Sequence, residues 1–218
     1  GTLDERSRSL TGLAALDRLL SEARSAVAAG SSARRGETQA IVRRIEARRA
    51  YVEALGQLEP AVRALVEDRT LTADAFQSQL VALQTQHEAL DPSDATGADL
   101  VQTDVPRWAD LGETLSRLSE RTRDLALIDR AVEADRARTV ESVLRRLVRT
   151  IEDSESAGEQ TYWQQWVVSL QTWQEILELS AAIEDGSAPA DARARLEQRR
   201  ASLRDEPRLF EAAQRLAD

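Results

Sequence analysis

The sequence predicts an all-α protein. The expected form is an elongated antiparallel helical bundle of about six or seven helices, with one long spine helix over about 107–153. Three observations carry this. Apolar residues recur at steps of three and four in almost every segment, which places them on one helix face. No stretch alternates Val, Ile, Thr and aromatic residues between turn residues, as a half-buried strand would. The 9 Gly and 5 Pro fall mostly where the helical patterns stop.

The first helix is expected over about Leu3–Ala29, where Leu10, Leu13, Leu16, Leu20, Ala23 and Val27 share a face. Gly30, Ser31 and Ser32 read as its stop, and Gly36 closes the break. A second helix from near Glu37 carries Ile41, Ile45, Val52, Leu55, Val62 and Leu65, with Arg48 or Arg49 filling the gap between Ile45 and Val52. Pro60 lies inside it and predicts a kink or break near Leu58, because proline lacks an N–H and clashes with the preceding turn. Thr72 suits the cap of a third helix, with Asp74 in its first turn and Phe76, Leu80, Leu83 and Leu90 along its seam. The stretch Asp91–Pro106, with Pro92, Gly97 and four Asp residues, reads as a loop. It is long for a connection inside a compact domain.

The spine helix begins with Trp108, Leu111, Leu115, Leu118, Thr122 and Leu125. Its pattern weakens through Ile128, Val132 and Thr139 and recovers at Val143, Leu147 and Ile151. No Pro interrupts Arg107–Asp153, so a single helix there would reach ~70 Å at ~1.5 Å per residue. Ser156–Glu159 contains Gly158 and reads as a turn. A fifth helix carries Trp163, Trp166, Leu170, Trp173 and Leu177 and ends at Asp185-Gly186. Ser187 and Pro189 open a sixth, bearing Ala192, Leu196 and Leu203. Pro207 ends it, and a short terminal helix holds Leu209, Phe210 and Leu216. No clean internal repeat of fixed period emerges. The chain therefore reads as a single module over 1–218, with sub-bundles 1–90 and 107–218 around the loop 91–106 as the finer division.

Composition narrows the function. With 38 acidic and 29 basic residues the net charge is −9, while 42% apolar and 31% charged residues suit a folded chain. An acidic surface repels a phosphate backbone, so nucleic acid is not an expected partner. No apolar run approaches the ~18 residues that span a bilayer, so membrane attachment is expected only through flanking segments. There is no Cys and a single His, which removes thiolate chemistry and multi-histidine metal sites. Phosphate-binding glycine loops, the nucleophile elbow, H-E-x-x-H and E-x-x-H are all missing. Lysine is missing too, and with it Schiff-base chemistry. The Asp-rich loop lacks the calcium-loop spacing. The chain is thus read as a non-enzyme, with no cofactor and no metal. Lys, Asn, Met and Cys are all absent and every cationic side chain is Arg, which points to a GC-rich coding sequence of bacterial type. A Cys-free chain fits either the cytoplasm or the bacterial periplasm. Gly1-Thr2 reads as the remnant of a cleaved tag, so a piece of a longer protein is expected.

Five residues stand out as contacts for a ligand or partner: Arg48, Arg136, Tyr162, Trp163 and Trp166. Tyr162, Trp163, Trp166 and Trp173 crowd into one stretch of a chain with only 4 Trp and 2 Tyr. On the seam, Trp163, Trp166 and Trp173 are expected mainly as core, and otherwise as interface anchors. Tyr162 lies off the seam and is expected at the surface. The Arg pairs interleave with carboxylates, as on a solvated helix face. Arg48 or Arg49, and Asp135 or Arg136, are the exceptions that approach a seam, where a buried ion pair or a small acid could sit. His87 is expected half-exposed near a helix C-terminus.

Val105-Pro106-Arg107-Trp108, followed by Leu111, Leu115, Leu118, Arg121 and Leu125, resembles part of the third helix of a spectrin-type repeat. The other helices do not follow that family's repeat length. The order of long and short helices also resembles helical ligand-binding domains of bacterial transmembrane receptors, in architecture alone. The expected function is a non-catalytic module for protein–protein interaction, including self-association through helix faces, or for structural and signal transmission. The alternative is an extracytoplasmic sensor that binds a small molecule between helices near Ile128–Thr139.

Overall fold

The computed structural model describes residues 12–29, 32–90 and 100–216, excepting the side chains of 32–34 and 100–104. Among them are eight helices and no strand: the all-α class is as the periodicity predicts, with more helices than the six or seven expected. In chain order these are α1 (Leu13–Ala29), α2 (Ser32–Glu67), α3 (Ala73–Glu88), α4 (Leu100–Glu133), α5 (Ala137–Asp153), α6 (Ala157–Glu184), α7 (Ala192–Ser202) and α8 (Pro207–Arg215). Leu3–Ser9, Leu10 and most of the expected loop, 91–99, lie outside the described residues.

The 107–153 spine is not one helix. α4 ends at Glu133, α5 begins at Ala137, and Asp135 between them takes φ 47°. That left-handed conformation suits Asp better than most residues, and a helix cannot continue through it. The reason is a change of phase. Leu125, Ile128 and Val132 are buried before the break, and Val140, Val143 and Leu147 after it. In a straight helix the step from Val132 to Val140 would turn the second set by about 80°. The break lets both sets face inward. Asp124 then accepts hydrogen bonds from Arg146 Nε and Thr150 Oγ1, each 3.1 Å, which ties α5 back along α4.

Three expected stops are helical instead. α2 begins at Ser32 and runs through Gly36. Pro60 does not break α2, because Pro60 and Gly56 both face solvent, where water can take up the carbonyl that proline leaves unbonded. The buried Leu58 and Val62 hold the turn on the other side. α4 starts at Leu100 rather than after Pro106, which lies exposed within it. Other expectations hold: Thr72 Oγ1 accepts from Ala75 N at 3.2 Å as the α3 cap, and Gly186 takes φ 76° just beyond α6.

The chain forms two compact units: Gly1–Val66 with Ser78–Ser119, and Glu67–Gln77 with Glu120–Asp218. In the first, Leu16, Leu19, Leu20 and Ala23 of α1 pack with Ile45 of α2. Arg49 Nε–Asp17 (2.5 Å) and Arg24 Nη2–Glu46 (2.6 Å) fix the antiparallel register of these helices. Trp108 and Leu111 pack on the buried Tyr51 and Leu55. In the second unit α6 is central, packed by α5, α7 and α8.

Gly112 allows one close approach in the first unit. The His87 ring stacks on Trp108 (centroids 4.6 Å apart, 11° between planes), and its Nε2–H donates to the Trp108 carbonyl at 2.8 Å. The Trp108 indole N–H returns a 3.3 Å bond to the His87 carbonyl. A Cβ on Gly112 would stand 2.8 Å from His87 Cε1. Gly112→Ala is therefore expected to stabilise only when His87 is also Ala, by about 0.5–1 kcal/mol from helix propensity. With His87 present, moving the ring offsets that gain. Urea unfolding of the four proteins of this cycle should give a coupling of about 1 kcal/mol, and strict additivity would contradict the packing.

Candidate functional site

The second unit holds a set of largely half-buried polar groups arranged around Trp166. α6 supplies the apolar floor. Tyr162, Trp163, Trp166, Leu170, Trp173, Ile176 and Leu177 are all buried, a stripe wider than one seam because α6 has helices on several sides. Its N-terminus is fixed by Ser156, whose side chain accepts from Glu159 N, in an S-x-x-E sequence typical of a helix start.

Two arginines reach the Trp166 ring, Arg69 Cζ at 5.4 Å and Arg208 Cζ at 5.5 Å from its centroid. Arg69 lies in the α2–α3 connector. It donates to Gln165 Oε1 (2.9 Å) and Ser169 Oγ (3.2 Å) and forms an ion pair with Glu206. Arg208, on α8, donates to the Leu71 carbonyl at 2.8 Å and pairs with Asp129 of α4. The other oxygen of Asp129 accepts from Ala73 N at 2.7 Å, at the first residue of α3. The Tyr162 hydroxyl donates to the Asp68 carbonyl at 3.4 Å. The connector 68–72 is thereby held from α4, α6 and α8 together.

A second group adjoins Tyr162. The Arg121 side chain is 1% exposed and binds Glu159 with both ends of its fork, Nε at 3.1 Å and Nη2 at 2.5 Å. Its Cζ lies 3.8 Å from the Tyr162 ring centroid. Burial pushes the Tyr162 phenol up, against smaller downward effects of the Trp166 indole and Arg121. Burial also lowers Arg208 from its ordinary value.

Burial raises Glu206 from its ordinary value, outweighing the opposing charge of Arg69 and the hydrogen bonds from Ser169 and Arg69, with a small further push from Asp205. The folded state therefore takes up this proton before the unfolded state does. Stability contributed by Glu206 is present at low pH and lost as pH rises through the raised folded value. Wild type is expected to gain stability relative to Glu206→Gln as pH falls from neutral toward the ordinary carboxylate range. Urea unfolding at several pH values checks this, and a relative loss on acidification would contradict it.

The five contact residues are distributed as follows. Tyr162 is 6% exposed, so it is a core residue and not the surface contact expected from its place off the seam. The physical reason is the packing of α6 on several sides together with the Arg121 guanidinium over the ring. Trp163 and Trp166 are 1% exposed and lie in the core. Arg48 is buried in the first unit, whereas Arg136 is exposed in the second, beside the equally exposed Asp135. Arg69, Asp129, Glu206 and Arg208 escape a reading of the sequence, since their partners lie far away along the chain.

The chain matches no family model, no curated protein and no solved structure. Among the described residues no group of three or more His, Cys, Asp or Glu is arranged to hold a metal ion. No described helix is long and apolar enough to cross a membrane. In the first unit a depression of about 460 Å³ lies on α1, lined by Asp17, Leu20, Ser21, Arg24, Ser25 and Ala28. Its charged groups are already paired with Arg49 and Glu46 of α2.

Proposed function

We propose that the chain is a non-catalytic helical-bundle module, acting within a larger protein through protein–protein interaction or by structural and signal transmission. One observation carries the reading. The half-buried charges around Trp166, and the buried Arg121 beside Tyr162, are engaged in ties between segments: Arg69 with Glu206, Arg208 with Asp129 and the Leu71 carbonyl, Arg121 with Glu159. Charges spent on one another hold a framework together, and buried pairs of this kind serve to specify one arrangement of helices.

The rival reading, a sensor for a small molecule, makes a different demand. Anything that binds only the folded state raises the melting temperature, and the rise grows with the logarithm of its concentration above Kd. A thermal-shift screen against small carboxylic acids and amino acids is expected to leave the melting temperature unchanged. A concentration-dependent rise with any one of them would overturn the module reading in favour of the sensor.

A further inference from the structure

The outward face of α6 is uncharged over several turns, as is that of α3 between Asp74 and Glu88. Between Glu159 and Glu175 the sequence has no charged residue, in a chain that is 31% charged. The inward half of that stretch is core. The outward half consists of Thr161, Gln164, Gln165, Val168, Gln171 and Thr172, spaced at three and four residues on one stripe about 16 Å long. Val168 at its centre is 63% exposed, more than any other large exposed hydrophobic residue among those described. Thr161 Oγ1 donates to the Ala157 carbonyl (2.8 Å) and Thr172 Oγ1 to the Val168 carbonyl (3.1 Å), so neither hydroxyl has to seek water. The charges that bound the stripe are already paired, Glu159 with Arg121 and Glu175 with Arg199.

We propose that this face binds a second copy of the same chain, α6 against α6, antiparallel about a two-fold axis through Val168. The proposal rests on the interaction reading above and names its partner. Two copies with net charge −9 repel wherever acidic faces meet, so an uncharged face offers the approach of least repulsion. An isologous contact also needs a surface that complements itself. A two-fold axis through Val168 sets Gln165 against Gln171, Gln164 against Thr172 and Thr161 against Glu175. A glutamine amide both donates and accepts; Gln165 Oε1 already accepts from Arg69, so its NH2 is the group left to donate to Gln171 Oε1 across the axis. Charge depletion with an apolar centre is also the composition of an interface core. One helix face buries less than the ~800 Å² per partner of a standard interface, so the contact is weak and reversible.

α3 carries an echo of this stretch 87 residues earlier. Val81, Leu83, Gln84, Thr85, Glu88 and Leu90 match Val168, Leu170, Gln171, Thr172, Glu175 and Leu177, and Val81 is 47% exposed. It supplies the competing register.

The chain has no cysteine, so single cysteines report contacts without background. Val168→Cys, Val81→Cys and, as an exposed control on α5, Arg145→Cys are treated with a short bifunctional thiol reagent at micromolar protein. Val168→Cys is expected to form covalent dimer faster than both others. Equal rates for Val168→Cys and Arg145→Cys, or faster dimer from Val81→Cys, overturn the proposal. Sedimentation equilibrium of Val168→Glu, which sets like charges opposite each other across the axis, should show self-association weakened by about tenfold or more. Its circular dichroism melt should match wild type, since the site is exposed. Wild type that stays monomeric also overturns the dimer. The ligand screen judges the module reading separately.

Discussion

Trp173→Ala is expected to destabilise the second unit by about 3–5 kcal/mol, the usual cost of emptying a core tryptophan site. Trp173 is 0% exposed on α6, the helix that α5, α7 and α8 all pack against, so no single neighbour can collapse into the space. Its Nε1 has no hydrogen-bond partner. Trp173→Phe therefore removes volume without breaking a bond and should cost about 1–2 kcal/mol less than the alanine. Val168→Ala, on the opposite face of α6, should fall within about 0.5 kcal/mol of wild type. Urea unfolding followed by circular dichroism measures all three. Equal costs for Trp173→Ala and Val168→Ala would refute the placement of the core.

Asp129→Ala is expected to cost roughly 2–4 kcal/mol, from two losses at once. Arg208 would be left with its charge half-buried against Trp166, and Ala73 N would lose its acceptor at the start of α3. The two losses separate by design. Asp129→Asn keeps an acceptor for Ala73 N and loses only the ion pair. Asp129→Ala with Arg208→Leu removes both charges and should recover a large part of the loss, because an unpaired buried charge is the expensive outcome. If the double variant is the sum of the singles, the pair does not interact as described.

The local structure was largely legible in the sequence and the long-range structure was not. Thr72 and Gly186 mark helix ends through backbone chemistry confined to a few neighbouring residues, which a sequence displays, whereas Ser156–Glu159, read as a turn, is the start of α6, and Pro207, read as the end of α7, opens α8. The α4–α5 break carries no Pro or Gly; its trace is the weakened pattern from Ile128 to Thr139, a slip of phase that could be read as a fraying seam. Pro60 and Pro106 misled in the other direction, since whether proline breaks a helix depends on which side faces water. Tyr162 reads as surface only if α6 has one buried face. The second face exists because helices pack on several sides of it, and Arg121 lies forty-one residues away in sequence. Arg69 and Glu206 form an ion pair across 137 positions, and nothing in either local sequence names the other.

The most direct test of the account is native-state hydrogen exchange in the wild-type protein, read at Ala73, Ala75 and Phe76. These amides are bonded to Asp129 Oδ2, Thr72 Oγ1 and the Thr72 carbonyl, next to the connector that Arg69, Arg208 and Tyr162 hold. If these half-buried charges bind that connector into the framework, the three amides exchange only when the second unit opens as a whole, at the rate of the core amides of α6. Exchange at the pace of an open turn, while the α6 amides stay protected, would contradict it.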